Sequence, residues 1–222
     1  MEWPRLVGAK RQRPASGTWQ DWKQHIANEC SAQCVYCAIN EGRFGGIRNF
    51  HVEHYRPKAR FPQFENDIRN LYLACAVCNV LKCDDWPGEP RMDHGSPAYP
   101  DPAQCDYNQL FTVDSRTFEV TSTTIAGQYV AERLMLNRGQ LVLQRRLNVC
   151  LLRLAKFEAW CNAVPADASP EDLREALKVL AAVSSMKAQI INARPYEDTA
   201  TKRVAKRKPP AKPKSGGTRK GS

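Results

Sequence analysis

The sequence lacks a long apolar run, and it lacks the apolar stretch of a secretory signal. No run approaches the ~20 residues that a membrane-spanning helix needs, which excludes a membrane span. The basic residues 1–13 are not followed by an apolar segment, so we expect a cytoplasmic protein whose thiols stay reduced. The nine cysteines are therefore not expected to form disulfides.

Acidic residues are absent from residues 201–222, which contain only basic charged side chains. These account for nine of the ten net positive charges, so the rest of the chain is nearly neutral. Prolines and glycines separate the lysines, and such a segment cannot bury enough apolar surface to fold. We expect a disordered basic tail. It either adds affinity for phosphate backbones, independent of base sequence, or only keeps the chain soluble.

The remaining composition is that of a globular protein, with 42% apolar and 25% charged residues and no internal repeat. Helical periodicity begins near Thr18 and again near Gly127, and Ser169-Pro170 begins a further helix that runs to about Asn192. The pattern divides the chain into a basic flexible arm (1–18), a cysteine-rich unit (19–90), an irregular connection with a hairpin at 118–125 (91–126), a helical region (127–200) and the tail (201–222).

Two CxxC pairs, Cys34 with Cys37 and Cys75 with Cys78, are the clearest motif. A single CxxC pair could be a redox pair or a coincidence, but two pairs supply the four thiolates of a closed tetrahedral zinc site. The pattern therefore predicts one structural Zn²⁺. The other five cysteines are not expected to bind it: Cys30 and Cys83 lie near the cluster, Cys105 is unpaired, and Cys150 and Cys161 belong to the apolar helical pattern and are predicted to be buried.

The segment between the pairs, and the residues after the second pair, carry polar groups in a characteristic order. They read His51-Val52-Glu53-His54-Tyr55-Arg56-Pro57-Lys58, then Asn70-Leu71, then Asn79-Val80-Leu81-Lys82. Together with the flanking cysteines, this order resembles the HNH endonuclease family over about residues 30–90. The resemblance implies an α+β fold, in which a zinc-clamped hairpin and helix (the ββα-metal arrangement) hold one catalytic divalent ion, followed here by the helical region.

The residue types suit phosphodiester hydrolysis, which needs a base to deprotonate water and a cation to neutralise charge on the phosphate. His54 has the ordinary pKa of such a base. Glu53 and Asn79 offer oxygen ligands, which favour Mg²⁺ or Mn²⁺. Neighbouring side chains on a strand point to opposite faces. Glu53 and His54 can therefore serve one site only if the strand ends or bends there, which Pro57 and the following loop allow.

The resemblance also implies individual roles. Glu53, in a place usually held by Asp or His, corresponds to a metal ligand, and His54 to the general base. Asn79, in place of the commoner His, corresponds to the second metal ligand. Asn70 corresponds to the residue that hydrogen-bonds the loop and holds the general base in place.

Basic side chains of the motif are expected near the scissile phosphate, namely Arg56, Lys58 and Lys82. For Lys58 an ordinary surface cation is an equal alternative. His51 is either an extra ligand or phosphate contact, or a packed or solvent-facing histidine.

A closer resemblance is to the HNH effector subunits of Septu and retron anti-phage systems. It is carried by the run from Val52 to Lys58, by Asn70-Leu71, Cys78-Asn79 and Lys82 with Asp84 to Pro87, and by the later Asp101-Pro102 and Leu136-Asn137-Arg138. This resemblance spans about residues 30–145. It implies a role in anti-phage defence beside an ATPase partner.

Three functions follow as alternatives. The first is a metal-dependent endonuclease acting on DNA, with RNA as the other substrate class. The second is a catalytically silent zinc-knuckle module that binds nucleic acid through the cysteine pairs and the tail. The third is a subunit whose leucine-rich residues 127–192 dock a partner.

Overall fold

The structure, a computed structural model, describes residues 2–7, 11–163 and 168–192. The predicted tail and residues 193–200 of the predicted helical region lie outside the described residues. The elements in chain order are α1 (Lys23–Glu29), β1 (Phe50–His54), β2 (Leu71–Cys75), α2 (Ala76–Lys82), α3 (Tyr107–Leu110), β3 (Thr112–Val113), β4 (Val120–Thr121), α4 (Ile125–Arg133), α5 (Gly139–Ala163) and α6 (Pro170–Ile191). Across these described ranges, no helix combines the length and apolar character needed to cross a membrane.

A hairpin and the helix that follows it form the centre of the molecule. β1 and β2 pair antiparallel, with Phe50 opposite Cys75 and His54 opposite Leu71. All five residues of β2 are buried, whereas in β1 only Phe50 and Glu53 are. β2 is therefore covered on both faces, and β1 is the more accessible strand. α2 begins directly after β2, so strand, strand and helix follow one another as the ββα arrangement requires.

One hydrophobic core includes residues from the predicted arm as well as residues far beyond position 90. Trp3 and Leu6 are buried in it, and the Trp3 indole nitrogen donates to the carbonyl of Tyr36 at 2.9 Å. Leu136 and Leu141 belong to the same core. The expectation of a flexible arm does not hold for residues 2–7, because two large apolar side chains anchor them. The core also crosses the boundaries predicted at residues 90 and 126.

The connection contains less strand than predicted. Within the Thr/Val-rich strip at 118–125, only Val120–Thr121 forms a strand, and it pairs with Thr112–Val113. Ile125 instead begins α4, with the Thr124 side chain accepting the Gly127 amide as an N-cap. The predicted hairpin is thus displaced toward the N-terminus. The reason is that a threonine can cap a helix as readily as it can occupy a strand.

The last two helices lie against each other. The predicted start of α6 is confirmed: Ser169 is its N-cap, with reciprocal contacts to Asp172. Cys150 is buried, and its thiol contacts the carbonyl of Val183. Cys161 is exposed, contrary to the expectation that it is buried, because the second half of α5 extends beyond the core.

Candidate active site

The four cysteines of the two CxxC pairs meet at one buried place. Cys34 and Cys37 lie in a turn before β1, Cys75 ends β2, and Cys78 lies in the first turn of α2. Their four sulfur atoms all lie within 4.8 Å of one another. The prediction that the two pairs come together is confirmed. The cluster joins three separate parts of the ββα arrangement.

The cluster has the dimensions and chemistry of a zinc site. Zn–S bonds of ~2.3 Å in a tetrahedron place sulfur atoms roughly 3.8 Å apart, and the Cys37 and Cys75 sulfurs are 3.8 Å apart. The pKa values of the clustered thiols diverge. Burial and contact with the neighbouring thiols raise the pKa of Cys34. The contact with Cys34 lowers the pKa of Cys78, but contacts with Cys37 and Cys75 and burial raise it overall. Burial opposes ionisation of Cys37, but contacts with the other three thiols and the Arg138 guanidinium hold its pKa well below the ordinary value. The thiolate is the form that binds a metal. The four-cysteine cluster therefore fits Zn²⁺.

A cavity of about 500 Å³ lies along β1, and all five residues of that strand line it. Glu53, His54 and Asn79 all line it, and so does His51, which is exposed. Glu53 and His54 both lie within β1, opposite Tyr72 and Leu71 of β2, so the strand does not end between them and their side chains alternate. The cavity reaches both residues because it extends along the whole of β1.

A backbone contact fixes the state of the His54 ring. Its Nε2 atom lies 3.0 Å from the carbonyl oxygen of Glu65. A carbonyl can only accept, so Nε2 carries the proton and Nδ1 is the basic nitrogen of the neutral ring. Burial lowers the pKa of His54 from its ordinary value, since the imidazolium would lose hydration. The ring is therefore neutral and able to accept a proton at neutral pH.

Asn70 hydrogen-bonds the loop between β1 and β2, whose Glu65 carbonyl contacts His54. The Asn70 side chain is buried, accepts the Arg56 amide at 2.7 Å, and donates to the carbonyls of Arg56 and Phe64 at 3.1 and 3.2 Å. One amide group thus joins both ends of the loop between β1 and β2. The positioning role of Asn70 stays a prediction.

Glu53 is buried beside a lysine. Its Oε1 atom lies 2.6 Å from the ammonium of Lys82, and the Tyr36 hydroxyl donates to the same oxygen at 3.4 Å. Burial raises the pKa of Glu53, and the Lys82 charge opposes that rise. Asn79 and Lys82 are three residues apart on α2 and so lie on neighbouring positions of one helix face. The helix therefore brings an amide and an ammonium group to the same strand end.

The predicted phosphate contacts divide into three cases. Lys58 lines the cavity and is exposed. Arg56 is not among the described cavity-lining residues, and its guanidinium pairs with both carboxylate oxygens of Glu89. Lys82 is fully buried, and its ammonium also donates to the His54 carbonyl at 3.1 Å. Its predicted contact with a phosphate does not fit this placement, because the charge is enclosed and already paired.

Several residues at the cavity were not predicted. Trp19 packs edge-on against His54, with ring centroids 5.1 Å apart, and the Lys58 ammonium lies over the Trp19 ring. Lys23 and Arg48 add two further cations to the lining. Trp19 and Lys23 precede the first CxxC pair, where the sequence carried only a helical signal. Arg48 precedes the motif and occupies no position in it.

Replacement of Lys82 with methionine is expected to lower the free energy of unfolding by about 3–5 kcal/mol, because it leaves the Glu53 carboxylate buried without its partner. The additional change Glu53→Gln removes the unpaired charge and should recover much of that loss. Urea unfolding of the zinc-loaded proteins measures both effects.

Lys58→Met is the matched control, since the Lys58–Glu65 pair is exposed and such pairs contribute roughly 0–1 kcal/mol. A Lys82→Met protein as stable as Lys58→Met contradicts the buried pair.

Comparison with protein families supports the resemblance seen in the sequence. Residues 34–85 match the model of the HNH endonuclease family, a segment of less than a quarter of the chain. It begins at the first cysteine of the cluster and contains all four, together with Glu53, His54, Asn70 and Asn79. The comparisons with curated proteins and with solved structures found no match. The matched segment points to a nuclease that uses a divalent metal and acts on nucleic acid.

Proposed function

We propose that this chain is an HNH endonuclease that hydrolyses phosphodiester bonds of DNA. The observation that carries the proposal is the cavity that His54, Glu53 and Asn79 share, along the first strand of a hairpin that the four-cysteine cluster ties to α2. The family match of residues 34–85 supports the same reaction class. A silent zinc module has no need for a neutral histidine and two oxygen donors around one cavity.

In this proposal His54 is the general base. Its Nε2–H group donates to the Glu65 carbonyl, which leaves Nδ1 to take a proton from water. The lowered pKa keeps the ring in its basic form at neutral pH. Asn70 holds the loop that carries Glu65 and so acts as a positioning residue.

Glu53 and Asn79 are proposed to hold a Mg²⁺ or Mn²⁺ ion, because a carboxylate and an amide oxygen suit these hard cations. Lys82 and Tyr36 contact Oε1 of the buried Glu53 carboxylate, so Oε2 is the oxygen that would face the ion. Such an ion, when bound, neutralises charge that develops on the phosphate. Lys23, Arg48 and Lys58 line the same cavity and favour an anionic backbone there.

Nicking of supercoiled plasmid by the purified, zinc-loaded chain tests this function. We expect relaxed plasmid with Mg²⁺ or Mn²⁺, and none with EDTA in excess over these ions. Parallel reactions on RNA of the same sequence separate the two substrate classes. Plasmid binding without nicking under every metal condition favours the silent module instead.

The finer resemblance leads us to propose a role in anti-phage defence beside an ATPase subunit. Leu173, Leu177 and Leu180 are exposed on α6 and offer an apolar surface for such a partner. Co-expression with the candidate ATPase, followed by size-exclusion chromatography, tests this. The two should co-elute, and Leu177→Glu should weaken the complex. Separate elution of the wild-type proteins removes the support for this partner.

A further inference from the structure

Arg138 reaches the four-cysteine cluster from outside the matched family segment. It lies in the loop between α4 and α5, more than fifty residues after position 85. Its Nη2 atom lies 3.7 Å from the sulfur of Cys37, 3.8 Å from that of Cys75 and 3.6 Å from that of Cys78. Three nearly equal distances place this nitrogen over the face of the sulfur tetrahedron opposite Cys34.

The orientation of the Arg138 guanidinium is fixed by its own loop. Its Nη1 atom donates to the carbonyls of Leu134 and Met135 at 3.0 and 3.4 Å. The flanking side chains of Leu134 and Leu136 are fully buried, and Arg138 itself is buried. Arg145, from α5, donates to the carbonyls of Phe118 and Leu136 and thereby secures the same loop. The guanidinium is held against the cluster by the carbonyls of its own loop, which Arg145 anchors in turn.

A zinc ion with four thiolates carries a formal charge of about −2, and burying such a charge is unfavourable unless a cation or hydrogen-bond donors lie beside it. Arginine is suited to this place because it stays charged and is less strongly hydrated than lysine. Groups that donate to metal ligands also orient those ligands and affect how tightly the ion is held.

We propose that Arg138 is a positioning residue of the zinc site, whose guanidinium offsets the charge of the four thiolates and slows the loss of the ion. This role rests on the zinc site and is independent of nuclease activity. It makes the region after residue 90 part of the zinc site. The Leu136-Asn137-Arg138 sequence would then serve to bring one cation to the cysteines.

Zinc release from the full chain tests the proposal. A chelator removes the ion, and a colorimetric indicator follows its appearance. Arg138→Met should raise the rate of zinc release by roughly 10- to 100-fold, since loss of a group that contacts metal ligands typically lowers metal affinity by such a factor. Arg138→Lys should recover part of the loss, since it keeps the charge. Arg133→Met is the control: Arg133 is a cation of the same segment, and its guanidinium pairs with Asp85.

Cobalt substitution separates a specific contact from general destabilisation. In Co²⁺-loaded protein, loss of N–H···S contacts should shift the thiolate-to-cobalt absorption in Arg138→Met but not in Arg133→Met. If Arg138→Met does not fold, Arg138→Lys is compared with Arg138→Gln, and the lysine protein should retain zinc longer. Wild-type release kinetics in Arg138→Met, or faster release with an unshifted cobalt spectrum, overturns the proposal. If the wild-type chain binds no zinc, the result contradicts the zinc site itself as well.

Discussion

Replacing His54 with alanine is expected to lower the rate of plasmid nicking by about 10²- to 10⁴-fold, the usual contribution of a positioned general base. The Glu65 carbonyl holds Nε2 of this ring, so Nδ1 is the only nitrogen left to accept a proton. The substitution removes the imidazole and leaves the four cysteines of the cluster unchanged. DNA binding and the zinc content should therefore stay at wild-type levels.

His25→Ala is the matched control. His25 lies on α1, is partly exposed, and is not one of the described residues that line the cavity. Nicking should be unchanged in this protein. If His54→Ala nicks plasmid at the wild-type rate, His54 is not the base. If it loses zinc or DNA binding together with activity, the histidine has a structural role instead.

Substitution of Cys75 with serine is expected to unfold the hairpin and α2. Cys75 ends β2, caps α2 and supplies one of the four sulfurs, so its loss weakens each of these links at once. Structural zinc contributes roughly 10–16 kcal/mol of apparent binding free energy in small zinc peptides. A typical domain is stable by only about 5–15 kcal/mol. We expect less than one zinc per chain and loss of the cooperative unfolding transition in a circular dichroism experiment.

Cys161→Ser provides the control, because Cys161 is exposed on α5 and lies outside the cluster. It should keep the wild-type zinc content and unfolding midpoint. Equal midpoints for Cys75→Ser and Cys161→Ser contradict a structural role for the cluster.

The features that the sequence could predict are those that depend on short spacings. A CxxC pair brings two thiols together by local geometry, and two such pairs in one chain indicate a shared ion. The serine cap of α6 likewise needs only the four residues from Ser169 to Asp172. In each case the partners are close in sequence, so the pattern itself contains most of the structural information.

Contacts between distant residues could not be predicted in this way. Arg138 is more than one hundred residues from Cys37, and nothing in the spacing of either residue indicates that they meet. The partner of His54 is a backbone carbonyl, which every residue possesses and no residue type identifies. Lys82 follows the motif by position, but its burial depends on Glu53 lying opposite it across the ββα unit. Motif position alone therefore predicted a place near the phosphate for the Lys82 side chain, which is in fact buried.

Counting Mn²⁺ ions tests most directly whether Glu53 and Asn79 hold a divalent ion beside His54. The measurement is electron paramagnetic resonance of Mn²⁺ added to zinc-loaded His54→Ala protein with DNA present, since this variant should cleave the DNA about 10²- to 10⁴-fold more slowly. We expect one tightly bound Mn²⁺ per chain, lost when Glu53→Gln is added. Equal binding with and without Glu53, or no bound Mn²⁺ in either protein, contradicts a catalytic metal at this cavity.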